Sequence, residues 1–139
     1  VIARRLAGLL LSIWAGSLAT VCGLAAPSAF AVLERSAAGQ LAARLFFAET
    51  LIGVGVAIAV FLAAKAGGFA LTRATWVAVA LGALAPVASE IVLGPMMRTA
   101  KAAGDMVRFG ALHGISAALF ALACVCAVTA VWRFNRPAA

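Results

Sequence analysis

Three ionisable side chains, Glu49, Glu90 and His113, lie within otherwise apolar stretches of this chain. Two carboxylates and an imidazole form a donor set that a divalent transition metal accepts. His113 alone suits an axial haem position, with Met96 or Met97 as the partner ligand. A charge at mid-membrane costs about 2.5–3.5 kcal/mol on insertion scales, so ionisable residues in such stretches mark a pathway, a ligand site or a pair. The competing reading is structural: Arg44 and Arg98 reach in to neutralise Glu49 and Glu90, while His113 hydrogen-bonds to a neighbouring helix. A proton or ion relay is a third possibility. Ser116 stands one helical turn from His113, but no orienting acid or oxyanion element accompanies them, so no catalytic residue is assigned.

The segments that must position these groups are four apolar runs, 6–33, 45–64, 74–97 and 109–132. A hydrocarbon core of about 30 Å takes about 20 helical residues to cross, and every run is long enough. The chain is 66% hydrophobic and 11% charged, with a mean hydropathy of +1.16, far from a soluble domain. Connections of about ten residues leave no room for a soluble domain and make successive helices antiparallel neighbours. The expected fold is therefore an all-α, antiparallel four-transmembrane-helix bundle, a single domain over 1–139.

A net charge of +7 and a pI near 11.2 would suggest nucleic acid in a soluble protein. Here the basic residues stand at the span ends and are read as lipid headgroup anchors, so the partner is the bilayer and nucleic acid is excluded. One face holds Arg4, Arg5, Lys65, Arg73, Arg133 and Arg136 without an acid. The other holds Arg35, Arg44, Arg98, Lys101 and Arg108 opposed by Glu34 and Asp105. The bias places both termini in the cytoplasm. Trp76 and Trp132 fall at that face as an interfacial belt, whereas Trp14 lies deeper and is read as packing. Arg4-Arg5 before an apolar stretch, with Ala29-Phe30-Ala31 beyond it, has the outline of a signal peptide. The apolar stretch is too long for one and Pro27 lies close to the cut, so cleavage is not expected. Cys22, Cys124 and Cys126 lack C-x-x-C spacing and read as small core residues, the last two pointing about 200° apart on one helix.

Small residues mark the faces on which membrane helices approach one another. Such rows run through Gly8, Ser12, Gly16 and Thr20; through Glu49, Gly53 and Ala57; through Ala78, Gly82, Pro86, Glu90 and Gly94; and through Gly110 and Gly114. Pro86 is expected to kink its helix. Counted from Arg44, Gly94-Pro95 and Arg108, the residues Glu49, Glu90 and His113 share a depth of about 6 to 8 Å inside one membrane face. Convergence there would form a small polar vestibule lined by Pro27, Arg44, Glu49, Glu90 and His113, with irregular backbone near Pro27 and Ala38-Gly39.

The succession Trp14-Ala15-Gly16-Ser17, Ala26-Pro27-Ser28-Ala29-Phe30, Ala38-Gly39, Leu45-Phe46 and Leu112-His113-Gly114-Ile115-Ser116 resembles the bacterial branch of the transmembrane protein 205-like proteins. Trp14, Gly16, Pro27, Phe30, Gly39, Phe46, His113 and Ser116 fall on its motif. That family is classed as a domain of unknown function, so the resemblance implies a four-helix multi-pass protein without an established reaction. A looser similarity is to copper-resistance membrane proteins, although the several histidines expected there are missing. Together the residues and the resemblance lead to a bacterial inner-membrane protein that binds or transports a metal ion or haem through the polar cluster. The alternative is a nonenzymatic structural or assembly protein, alone, as a homo-oligomer or with a membrane partner, whose polar cluster serves as interhelical glue. An intramembrane oxidoreductase is disfavoured, since no nucleotide, flavin or quinone signature is present.

Overall fold

Alanine and leucine, both strong helix formers, dominate the apolar runs, and a segment in hydrocarbon must satisfy its own backbone polar groups. Each run accordingly becomes one helix. In a computed structural model, which describes residues 1–136, α1 spans Ile2–Val32, α2 Arg35–Gly67, α3 Arg73–Ala102 and α4 Met106–Phe134. All four are long and apolar enough to cross a membrane, and the protein is an all-α four-helix membrane bundle.

The helix ends lie beyond the apolar runs. α2 begins ten residues before the run at 45–64, because Arg35, Gln40 and Arg44 continue a helix as readily as apolar residues do. Hydropathy marks where lipid starts, not where the helix starts. Gly68, at φ 62°, ends α2 in the left-handed conformation, and the Thr72 hydroxyl caps α3 by accepting from the Thr75 N–H at 3.2 Å. Gly104, at φ 72°, turns the chain into α4, whose first turn is capped by Asp105 accepting from the Arg108 N–H at 2.9 Å. Only Leu33 and Glu34 separate α1 from α2, so both hairpins, α1–α2 and α3–α4, turn at one end of the bundle, hereafter the hairpin end.

α1 packs on α2 and α4, and α3 packs on α4 and α2, closing a square in which each helix touches its two antiparallel neighbours. The core stripe of α1 is Ala7, Leu11, Trp14 and Leu18, at alternating spacings of four and three. Trp14 is buried, as expected of a packing residue. A Cβ at Gly53 of α2 would stand 3.1 Å from its Nε1, and one at Gly82 of α3 only 2.9 Å from its Cη2. The indole therefore fills the centre of the square because two facing residues have no side chain.

The small-residue rows divide. Those of α2 and α3 face inward, with Glu49, Gly53, Ala78, Gly82, Pro86 and Gly94 buried. On α1, Gly8 meets Phe134, but Ser12, Gly16 and Thr20 are exposed, contrary to the expected packing row. Gly110 and Gly114 of α4 are likewise exposed, with nothing near a Cβ built on either. The large stripe containing Trp14 occupies the inner face of α1 and turns the small residues outward.

α1 and α3 are each interrupted by a widened, π-helical turn, over Val21–Ala25 and Ser89–Leu93. The Ala26 N–H bonds to the Val21 carbonyl and the Gly94 N–H to the Ser89 carbonyl, five residues back rather than four. Each turn stands just before a proline, Pro27 or Pro95. A proline ring collides with the carbonyl four residues earlier and offers it no N–H, and an extra residue in the turn moves that carbonyl aside. Pro86, by contrast, is held within regular helix.

Candidate functional site

Glu49 is the deepest of the three ionisable residues. It lies fourteen residues beyond Arg35, about 21 Å along α2, and is only 4% exposed. Its Oε2 accepts a hydrogen bond from the Ser17 hydroxyl of α1 at 3.1 Å, and the same hydroxyl also approaches the Trp14 carbonyl at 3.0 Å. Arg44 does not neutralise it: that side chain is exposed, and a five-residue separation puts it on another face of α2. Counted from the helix ends at the hairpin end instead, the two carboxylates stand at similar heights and the imidazole lies nearer that end. Glu90 is twelve residues from the end of α3, about 18 Å, and His113 seven from the start of α4, about 10 Å.

Glu90 occupies the widened turn of α3 and is half-buried. Glu90, Gly94 and Arg98 repeat at four-residue spacing, and the Arg98 guanidinium folds back over Gly94, its Nη1 3.5 Å from where a Cβ would be. Arg98 thus lies on the Glu90 side of α3, but the two make no ion pair within 4 Å among the described residues. His113 is exposed, its ring stacked on Phe109 with centroids 6.0 Å apart and planes 10° from parallel. Among the described residues, no three histidine, cysteine or acidic side chains are gathered so that they could hold a metal ion. Pro27 is exposed, as Arg44 is, and neither closes a chamber around Glu49. Met96 is also exposed.

Two further polar contacts join helices near the widened turns. Ser89 of α3 and Ser116 of α4 share a hydrogen bond of 2.6 Å, and the Cys124 thiol of α4 donates to Cys22 of α1 at 3.4 Å. Cys126 faces the other way, against α3, its Cβ 3.1 Å from a Cβ built at Gly82, as the 200° separation from Cys124 required. The cysteine pair is 102 residues apart in sequence, and neither spacing nor motif announces it. Ser116, one helical turn from His113 in sequence, has Ser89 and not the imidazole as its partner. Each fully buried polar side-chain atom among the described residues has a hydrogen-bond partner.

What this arrangement can do chemically is hold four helices in register. Hydroxyl to carboxyl, hydroxyl to hydroxyl and thiol to thiol, each contact crosses from one helix to the next. No curated protein and no solved structure matches the chain. A family model described as a domain of unknown function, DUF4149, matches residues 9–105, from the first turns of α1 to the residue that caps α4. Glu49, Glu90, Pro27 and both widened turns lie within that stretch, and His113 lies outside it. With well over half of its length so matched, the chain belongs to the DUF4149 family of domains of unknown function.

Proposed function

We propose that this protein is a nonenzymatic structural or assembly component of the bacterial inner membrane, a single four-span domain with both termini cytoplasmic, in which buried polar residues act as interhelical glue. The observation that carries this reading is the pairwise use of those residues: Ser17 with Glu49, Ser89 with Ser116 and Cys22 with Cys124. Such contacts fix register between helices that lipid does not otherwise drive together. The outward rows on α1 and α4, Ser12-Gly16-Thr20 and Gly110-Gly114, suit close approach by a helix of a second copy or of a membrane partner. Likeness to the transmembrane protein 205-like proteins supports the same architecture and adds no reaction.

Metal or haem binding by Glu49, Glu90 and His113 is less well supported. An exposed imidazole on α4 and a buried carboxyl bonded to Ser17 do not make one donor set. Copper handling of the resistance-protein kind meets the same difficulty. Elemental analysis and an absorption spectrum of the detergent-purified protein, expressed with ample metal and haem, test the choice. The expected result is no Soret band and no stoichiometric metal. Ser17→Ala should lower thermal stability in detergent by about 0.6 kcal/mol, and by no more than about 1.7 kcal/mol, as single interhelical hydrogen bonds do. Stoichiometric metal or haem that disappears in His113→Ala would overturn the proposal.

A further inference from the structure

We propose that the groove between α3 and α4, at the end opposite the hairpin turns, binds one anionic phospholipid of the surrounding bilayer, its phosphodiester held by Arg73 and Arg133 and an acyl chain laid along the groove. The groove has a volume of about 530 Å³ and is lined by Arg73, Val77, Ala78 and Leu81 of α3 and by Cys126, Thr129 and Arg133 of α4. On α3 these residues recur along one face from Arg73 to Leu81, a length of about 12 Å, and Cys126 to Arg133 covers about 10 Å on α4. Both helices therefore carry an arginine at the mouth and apolar or small side chains toward the interior. Val77 and Leu81 are each 48% exposed, so an apolar wall is open to whatever lies alongside.

Charge complementarity selects the occupant. The four acids of the chain, Glu34, Glu49, Glu90 and Asp105, are absent from the lining. Glu34 and Asp105 sit in the hairpin turns at the far end. Three of the four other cations at the same end rest on aromatic rings, Arg4 on Phe134, Lys65 on Phe61 and Arg136 on Trp132, at 5.6 to 5.8 Å. Arg5, Arg73 and Arg133 make no such contact among the described residues, and of these three Arg73 and Arg133 line the groove. A guanidinium offers paired donors to phosphate oxygens, and two of them at the mouth of an apolar groove match a phosphodiester with a hydrocarbon tail. Basic pockets between membrane helices recognise anionic headgroups on this principle.

Native mass spectrometry of the detergent-purified full chain, titrated with phosphatidylglycerol or phosphatidylethanolamine, reads the site. One phosphatidylglycerol should bind with a preference of about fivefold per arginine. The double variant Arg73→Gln, Arg133→Gln should lose the preference, while Arg4→Gln, Arg5→Gln, which removes equal charge at the same end, should keep it. Leu81→Trp fills the groove and leaves both arginines, so it should weaken lipid binding even if the arginine variants fold poorly. Glycerol phosphate, the headgroup chemistry without chains, should fail to compete at equal concentration. Equal retention of the two lipids, equal loss in the Arg4 and Arg5 control, or competition by glycerol phosphate would overturn the proposal. So would disulfide-linked dimers of a Val77→Cys variant in place of bound lipid, since a second copy would then occupy the groove.

Discussion

Trp14 shows how much a single residue demands of its surroundings. An indole at the centre of four helices needs facing positions without side chains, and Gly53 and Gly82 supply them from two different helices. A methyl group added at Gly82 would lie 2.9 Å from the ring and 3.1 Å from the Cys126 Cβ, neither of which is a flexible tip. Overpacking of this kind costs about 1–3 kcal/mol. Gly82→Ala should lower the unfolding temperature in detergent accordingly, whereas Gly16→Ala, with open space around it, should be neutral or slightly stabilising. Trp14→Phe should itself destabilise, yet it should relieve part of the Gly82→Ala penalty, so the double variant should cost less than the two changes added together. Additive losses would mean that the indole and Gly82 do not compete for the same space. At this scale the sequence was partly legible. The depth of Trp14 and the inward row of Glu49 and Gly53 could be read from position and spacing. The partners Ser17, Ser89 and Cys22 could not, since a hydroxyl or thiol in a helix carries no sign of which neighbouring helix will face it.

Among the elements, α1 and α3 are built alike: five residues of widened turn, one small residue, Ala26 or Gly94, then proline. The proline, which leaves the carbonyl four residues back without an N–H, accounts for the extra width. Pro27→Ala restores an N–H that can bond to the Gly23 carbonyl, and the turn should tighten to regular helix. Loss of one inserted residue rotates everything beyond it by about 100°. Ala29, 5% exposed and turned inward, would then swing away from the bundle. An Ala29→Cys variant should therefore resist a lipid-phase maleimide in the native background and react when Pro27→Ala is added. If reactivity is the same in both, packing holds the wide turn and the proline merely tolerates it. The number, order and antiparallel sense of the helices were legible from hydropathy and loop length. Helix limits were not: Arg35, Gln40 and Arg44 are hydrophilic and helical at once, so the helix of Glu49 begins well before its apolar run. The widened turns were hidden as well, because Pro86 in the same helix as Pro95 produces none.

For the molecule as a whole, closure of the square brings α1 against α4, and the Cys22–Cys124 contact at 3.4 Å reports it. In a Cys126→Ser background, a membrane-permeant oxidant should remove both remaining thiols by an intramolecular disulfide without altering the monomer mass on a gel, since side chains this close need little movement to reach bonding geometry. Two thiols still titratable after denaturation would place α1 and α4 farther apart. The two ends of the bundle also differ in a way that bears on insertion. One end carries six basic residues, no acid and, among the described residues, all three cation–aromatic contacts; the other carries five basic residues interspersed with Glu34 and Asp105. Positive charge is retained in the cytoplasm, and acids count for little, so the expected orientation rests on a margin of one charge, while Phe61, Trp76 and Trp132 anchor the more basic end as an aromatic belt would at either interface. The expected orientation has the hairpin end outside. In intact bacterial cells, a membrane-impermeant thiol reagent should label an Ala103→Cys variant and should reach an Asn135→Cys variant only after permeabilisation. Because the margin is narrow, Arg4→Gln with Arg5→Gln leaves four basic residues against five and should yield a mixed population in which both sites are partly labelled. Labelling of Asn135→Cys alone in intact cells would place the basic, aromatic end outside and show that charges elsewhere in the hairpins direct insertion.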